Sequence, residues 1–209
     1  MQNQNFNLLI LEDREVHWDK INNYLSSDYV IYNKSESIKI TSLYCAYKNA
    51  KAQHTGNCKT NLENHFNPIL NSFADKSVIC IIDINWNGMA IENTIGKKDD
   101  KYGIDFYREC LSQSDKIKGV IITTVGDVKK LKNDLGGFEN VIPKKDKNNQ
   151  YLTNEVLEKY KNCINKIINA AIDDEIKETT KLKKESSTPH SNQIGIPTEQ
   201  AKLISNEQK

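Results

Sequence analysis

Five side chains in this sequence have types and placements that could do chemistry: Glu12, Asp13, Asp83, Thr123 and Lys144. Each comes directly after a short apolar run: "NLLIL" leads into Glu12 and Asp13, "VICII" into Asp83, "GVII" into Thr123 and "NVIP" into Lys144. A single aspartate in such a place is ordinarily a turn or helix cap. An acidic pair there is ordinarily a set of first-turn acids favoured by the helix dipole. Four matched endings point instead to one shared edge. Three carboxylates gathered in a small space repel one another unless a cation lies among them, and hard oxygen donors that leave room for water suit Mg²⁺. A metal held by Glu12, Asp13 and Asp83 would neutralise incoming phosphoryl oxygens and leave one carboxylate to attack phosphorus, forming an acyl phosphate. Such a transfer depends mainly on positioning and charge stabilisation. Lys144 as a point charge and Thr123 as a hydroxyl donor suit the remaining phosphoryl oxygens.

The elements that must deliver these residues follow from hydrophobic spacing. Asn7 to Leu11 and Val78 to Ile82 are apolar runs of strand length, and Gly119 to Thr124 is rich in β-branched residues. Asn140 to Pro143 is a brief last strand. The second strand has two candidates, "SIKITSLY" at Ser37–Tyr44 and "YVIY" at Tyr29–Tyr32. Val16, Ile21, Tyr24 and Leu25, with Trp18, predict a first helix. Residues 45–75 read as helical with an interruption near "HTGNCKT" and a new turn opening at Pro68. Gly103 to Leu111 is amphipathic, and a short helix over Asp127–Leu135 is ended by Gly136 and Gly137. Leu152, Val156, Leu157, Tyr160, Cys163, Ile164, Ile167, Ile168, Ala171 and Ile172 form one stripe of a long final helix. Strands alternating with helices predict a doubly wound α/β fold, with a parallel sheet covered on both faces and its ligand site at the carboxyl ends of the strands. The expected organisation is a domain over residues 1–150, a final helix with a helical extension over 151–184, and a polar, disordered tail over 185–209.

Composition narrows the partners. Among 209 residues the net charge is +1, so no global field recommends nucleic acid or a membrane. Arg14 and Arg108 are the only arginines, which disfavours bidentate base readout. Five scattered cysteines without a Cys-x-x-Cys pair, and no long apolar run, predict a reduced, cytoplasmic, soluble protein. Cys45, His54, Cys58 and His65 fall close together, but not in the tight pairs of structural zinc sites.

The segments "LILEDR", "IIDINWNG", "VIITTVGD" and "GFENVIPKKD", taken in order, resemble the receiver domain of two-component response regulators over about Asn7 to Lys166. The resemblance implies a five-stranded, flavodoxin-like parallel sheet of order 2-1-3-4-5. It implies that Asp83 accepts a phosphoryl group from a histidine kinase or phosphotransfer protein. Glu12 and Asp13 are then the acidic pair, Thr123 the switch hydroxyl, and Lys144 the conserved-type lysine, with Lys145 its competitor. The backbone carbonyl of Asn85 would complete an Mg²⁺ site with Glu12, Asp13 and Asp83. Against the family pattern, Pro143 precedes rather than follows the lysine, and Val141 replaces an aromatic on the fifth strand. Thr124 stands where a small residue is usual and would crowd the phosphoryl path. The loop from Asp83 to Gly103 is long and carries "GKKDDK" at Gly96–Lys101.

The function expected is a stand-alone phosphoacceptor signalling domain that acts on an unknown downstream protein by contact, with a homodimer through the C-terminal helix as one possible assembly. The alternatives are a receiver-like interaction module that signals without phosphorylation and, further off, an Mg²⁺-dependent phosphohydrolase. The latter would want a second carboxylate where "DIN" has Asn85. Trp86 reads equally as an exposed recognition aromatic or as packing for the long loop.

Overall fold

A computed structural model of the chain describes residues 6–52, 58–73, 76–86 and 101–186. The chain divides into a compact unit, Met1–Ala171, and a second unit, Ile172–Lys209, described only through the end of its helix. The first unit is built on strands β1 (Phe6–Leu11), β2 (Val30–Ile31), β3 (Ser77–Asp83), β4 (Ile117–Thr124) and β5 (Val141–Pro143). Its helices are α1 (Glu15–Leu25), α2 (Lys34–Ala52), α3 (Cys58–Ser72), α4 (Tyr102–Glu109) and α5 (Val128–Asp134). A final helix, α6 (Asn154–Ser186), begins in the first unit and supplies the described part of the second.

The five strands form one all-parallel sheet in the order β2-β1-β3-β4-β5, the doubly wound α/β arrangement expected. Its central strands carry unbroken apolar runs, Leu8–Leu11, Val78–Ile82 and Val120–Ile122, because both faces are covered there. On one face Leu8, Ile10, Ile79, Ile81, Ile121 and Ile142 meet Trp18, Ile21 and Leu25 of α1 and Val156, Leu157, Tyr160 and Ile164 of α6. On the other, Leu9, Leu11, Cys80, Ile82, Val120 and Ile122 meet α2, α3 and α4, including Ile40, Tyr44, Phe66 and Phe106.

Of the two candidates for the second strand, the structure takes the one at Val30–Ile31; "SIKITSLY" is helical, inside α2. The buried stripe of α2 includes Ser37 and Thr41 beside Ile40 and Tyr44, and these hydroxyls interrupt the apolar spacing that would mark a helix. Their cost is removed locally, since Ser37 Oγ donates to Asn33 O and Thr41 Oγ1 to Ile38 O. Asn33 caps the helix through its side chain, which accepts from Ser35 N at 2.8 Å. Pro68 opens no new turn and lies inside α3. It and Asn64, whose carbonyl loses a partner to the proline, are both exposed, so water can take the freed acceptor. Val16 leaves the expected stripe of α1 and is 68% exposed, while His17, Trp18, Ile21 and Leu25 are buried.

The final helix packs Val156 to Ile168 into the core, whereas Ile172, Ile176 and Leu182 of the second unit are exposed. The tail from residue 187 onward, and residues 87–100 with most of the "GKKDDK" run, lie outside the described residues. Among the described residues no helix is long and apolar enough to cross a membrane.

Candidate functional site

Strand register brings the site together. In β1 Leu8 and Ile10 face the α1/α6 layer, so by the two-residue period Glu12 does too. The same parity takes Ile79 and Ile81 to Asp83, Ile121 to Thr123, and Ile142 to Lys144. Asp83 lies directly beside Thr123 in the β3–β4 pairing, and Leu11 beside Ile82 in the β1–β3 pairing, which puts Glu12 next in line with Asp83. Asp13, Asp83, Glu12, Thr123 and Lys144 are all buried.

Glu12, Asp13 and Asp83 each offer a carboxylate oxygen, and these oxygens lie within 4.8 Å of one another. Lys144 Nζ sits between two of the three, 2.5 Å from Glu12 Oε2 and 2.7 Å from Asp83 Oδ2. The other oxygen of Glu12 accepts from Arg14 N at 3.2 Å and faces His17 Nδ1 at 3.5 Å. Lys144 is only 2% exposed, and its backbone is tied on both sides. Its N–H donates to Thr124 O at 2.7 Å, and its carbonyl accepts from Leu152 N at 2.8 Å. Leu152 holds the second of these bonds with φ of 48°, a left-handed conformation that a leucine adopts only when its surroundings impose it. Lys145 points elsewhere, 4.6 Å over the ring of Tyr151, which stacks in turn on His17. The competition between the two lysines is thereby resolved in favour of Lys144 as the one in the pocket.

The electrostatics follow from burial and from three acids facing one base. Burial raises Asp83 first; the Lys144 ammonium pulls it down, while Glu12 and Asp13 push it up again, and the balance leaves it at about 7. Burial pushes Glu12 up as well, but His17 and Lys144 together outweigh it and hold the group below its ordinary value. Burial disfavours the Lys144 ammonium, yet Asp83 and Glu12 more than restore it, so its affinity for its proton is raised. The pocket is thus short of positive charge, and Asp83 is the group that gives way. Three carboxylates facing a single ammonium are two positive charges short, a set of hard oxygen donors that could hold a divalent cation. Asn85, the fourth residue expected there, is half-buried just beyond the end of β3.

Thr123 Oγ1 donates to Ile82 O at 3.3 Å, so its hydroxyl is engaged by the main chain of the neighbouring strand. Thr124, of opposite parity, accepts from Gly126 N at 2.9 Å and shapes the turn after β4. Trp86 is buried against Tyr44 and Phe106, which settles its two readings in favour of packing. Of the four residues weighed for zinc, His54 lies outside the described residues and His65 Nε2 is 2.8 Å from Glu36. Among the described residues Glu12, Asp13 and Asp83 are the one group of three or more such side chains with ligand atoms in reach of each other.

Three contributors were not anticipated from the sequence: His17, Gly103 and Tyr160. His17 is signalled only by its position five residues after Glu12, at the start of α1. Gly103 opens α4 against the end of β3; a Cβ there would lie 1.9 Å from the carbonyl oxygen of Asp83. Its signal was a glycine in the first turn of an amphipathic helix, where a glycine otherwise weakens the helix. Tyr160 looked like one more member of an apolar stripe, and nothing in the spacing distinguishes it.

Comparison of the chain with protein-family models, with curated proteins and with solved structures gives no match.

Proposed function

We propose that this chain is a receiver-type phosphoacceptor, in which Asp83 takes a phosphoryl group and the modified domain signals through protein contact. The observation that carries the reading is Asp83 at the carboxyl end of the central strand, held by Lys144 and paired in register with Thr123. In the reaction a carboxylate oxygen of Asp83 attacks phosphorus and the bond from phosphorus to the donor breaks. With acetyl phosphate the products are an aspartyl phosphate and acetate. Asp83 must be ionised to attack, which its position at about 7 allows near neutrality. Lys144 moves from the carboxylate pair to a phosphoryl oxygen, and Thr123 turns its hydroxyl from Ile82 O to another. Glu12, Asp13 and Asp83, with the Asn85 carbonyl, would hold Mg²⁺, which neutralises phosphoryl charge when bound. A histidine kinase or phosphotransfer protein is the fitting natural donor. Five cysteines, none in a disulfide, fit a reducing, cytoplasmic setting.

Intact-mass measurement after incubation with acetyl phosphate and Mg²⁺ tests the reading. A partial gain of one phosphoryl group is expected in the wild type, none in Asp83→Asn, and a faster gain in Thr124→Ala. No gain in either the wild type or Thr124→Ala would refute phosphoacceptance and favour an interaction module that works unphosphorylated.

A further inference from the structure

Seven large apolar side chains stand exposed among the described residues, and three of them, Ile172, Ile176 and Leu182, lie on the part of α6 beyond Ala171. The other four, Val16, Val30, Val125 and Tyr151, belong to four separate segments. At 3.6 residues per turn, Ile172, Ile176, Thr179 and Leu182 fall within an arc of about 120°, the width of stripe by which an amphipathic helix docks. Asp174, Lys177 and Lys181 take the opposite side, where Lys177 Nζ pairs with Asp174 Oδ1 at 3.0 Å. Most helices owe their stability to an apolar face that is covered, and here Ile176 and Leu182 are 58% and 61% exposed.

The charges along the helix select what covers that face. A membrane surface is a poor match. Helices that lie on lipid are rich in basic residues and bulky aromatics, whereas this segment holds Asp173, Asp174, Glu175 and Glu178 and no arginine or aromatic. The acids occupy its first half, residues 173–178, with Lys177 as the one base there, and the second half carries "KLKK" at Lys181–Lys184. A copy of the helix laid parallel would set acids beside acids and lysines beside lysines. Laid antiparallel, it sets each acidic half against the other copy's lysine half and opposes the two helix dipoles.

We infer that the part of α6 beyond Ala171 is a homodimerisation helix, which pairs antiparallel with the same segment of a second copy and covers Ile172, Ile176 and Leu182. The pairing is two-fold symmetric, so one charge order satisfies both halves of the contact. From Ile172 to the end of α6 the helix runs about 22 Å, and two such helices cover less than the roughly 1,600 Å² of a standard interface. The dimer is accordingly weak, with a dissociation constant in the micromolar range. It requires no phosphoryl chemistry and stands or falls separately from the role of Asp83.

Sedimentation equilibrium of the full chain, from about 1 µM to about 1 mM, tests the inference. The mass is expected to rise from one chain to two across that range. Ile176→Asp is expected to weaken association at least about tenfold, by placing a charge in the apolar seam. The triple variant Asp173→Lys, Asp174→Lys, Glu175→Lys is expected to do the same, by leaving lysines against lysines. Both changes are on an exposed face, and unchanged melting of the variants confirms that the compact unit is intact. Zero-length carbodiimide cross-linking of a mixture of ¹⁵N-labelled and unlabelled chains reads the orientation. Links between labelled and unlabelled copies should join the acids at 173–175 to the lysines at 181–184. A mass that stays at one chain throughout overturns the inference, as does a dimer that both variants leave unchanged. Mixed links confined to Lys177 would mark a parallel pair and overturn it too. Failure of acetyl phosphate to modify Asp83 would leave each of these results as it stands.

Discussion

Replacing Asp83 by asparagine is expected to stabilise the metal-free protein, and to do so in a pH-dependent way. The ordinary value for an aspartate is 3.8, and in the pocket Asp83 is raised to about 7. At about 1.4 kcal/mol for each pH unit between the two, ionising Asp83 inside the fold costs about 4 kcal/mol more than ionising it in the unfolded chain. That figure is a ceiling, because asparagine gives up the charge-assisted bond that Lys144 now makes to Asp83 at 2.7 Å. A raised folded value means that the native state keeps a proton which the unfolded state has lost. The associated stability is fully present below 3.8, shrinks as pH rises, and is gone above about 7. Asparagine is neutral throughout, so its advantage over the wild type should be largest at about pH 8, near 4 kcal/mol, and should fall to about 2 kcal/mol at about pH 5. For a unit of this size, the larger figure corresponds to a melting shift of roughly 8 to 16 °C.

The assay is thermal melting in low salt with a chelator, at both pH values, with Asp105→Asn as a control for a surface carboxylate that pairs with Lys48. An Asp83→Asn protein that melts lower than wild type at about pH 8 would show that the Lys144 pair outweighs the repulsion. A shift independent of pH would show that Asp83 does not titrate where its surroundings place it. Either outcome refutes the account of the pocket as a site short of positive charge.

Mg²⁺ should raise the melting temperature of the wild type by mass action, by about 3 kcal/mol at a hundredfold excess over its dissociation constant; Asp13→Asn should blunt that rise, and equal responses would remove the metal from the account. Gly103→Ala, whose new methyl would fall 1.9 Å from Asp83 O and 2.9 Å from Ile84 Cα, should cost at least about 3 kcal/mol in urea unfolding, because backbone rather than a flexible side chain must yield. A chain ending at Ala171 should melt within about 2 °C of the full chain, since the compact unit closes there. One ending at Lys166 removes Ile167 and Ile168 from the core and should lose several kcal/mol, about 2 or more for each large side chain.

The sheet and four of the five site residues were legible for one reason. A parallel sheet buried on both faces writes its strands as unbroken apolar runs, and the first polar residue after each run marks the carboxyl edge. Parity then sorts these residues by face, which is how Glu12, Asp83, Thr123 and Lys144 can be placed on one side from spacing alone. What was not legible is what depends on contacts distant in sequence. Ser37 and Thr41 hide α2 because their hydroxyls are satisfied by their own helix, a fact that an apolar template cannot represent. The choice between Lys144 and Lys145 rests on the turn from Lys145 to Tyr151, where Asp146 accepts from Asn148 N and Gln150 N. His17, Gly103 and Tyr160 reach the site across elements, and their residue types are ordinary where they stand.

The charge balance of the pocket also bears on why a phosphoryl group would act as a signal there. Three carboxylates against one ammonium leave an excess of negative charge inside a region of low dielectric, where Coulomb interactions are strongest. Modification of Asp83 replaces a single negative charge by nearly two, so without compensation the modified state would be the less stable one. Compensation has to come from groups that can move: Lys144, now divided between Glu12 and Asp83, and a cation drawn in by the acids. Each of these movements leaves something behind. Were Lys144 to follow a phosphoryl oxygen, Glu12 would keep, among the described residues, Arg14 N and His17, whose ring stacks on Tyr151. The turn that Tyr151 closes is the same one that seats Lys144, so on the proposed reading a change at Asp83 would reach the protein surface through the residues that balance its charge.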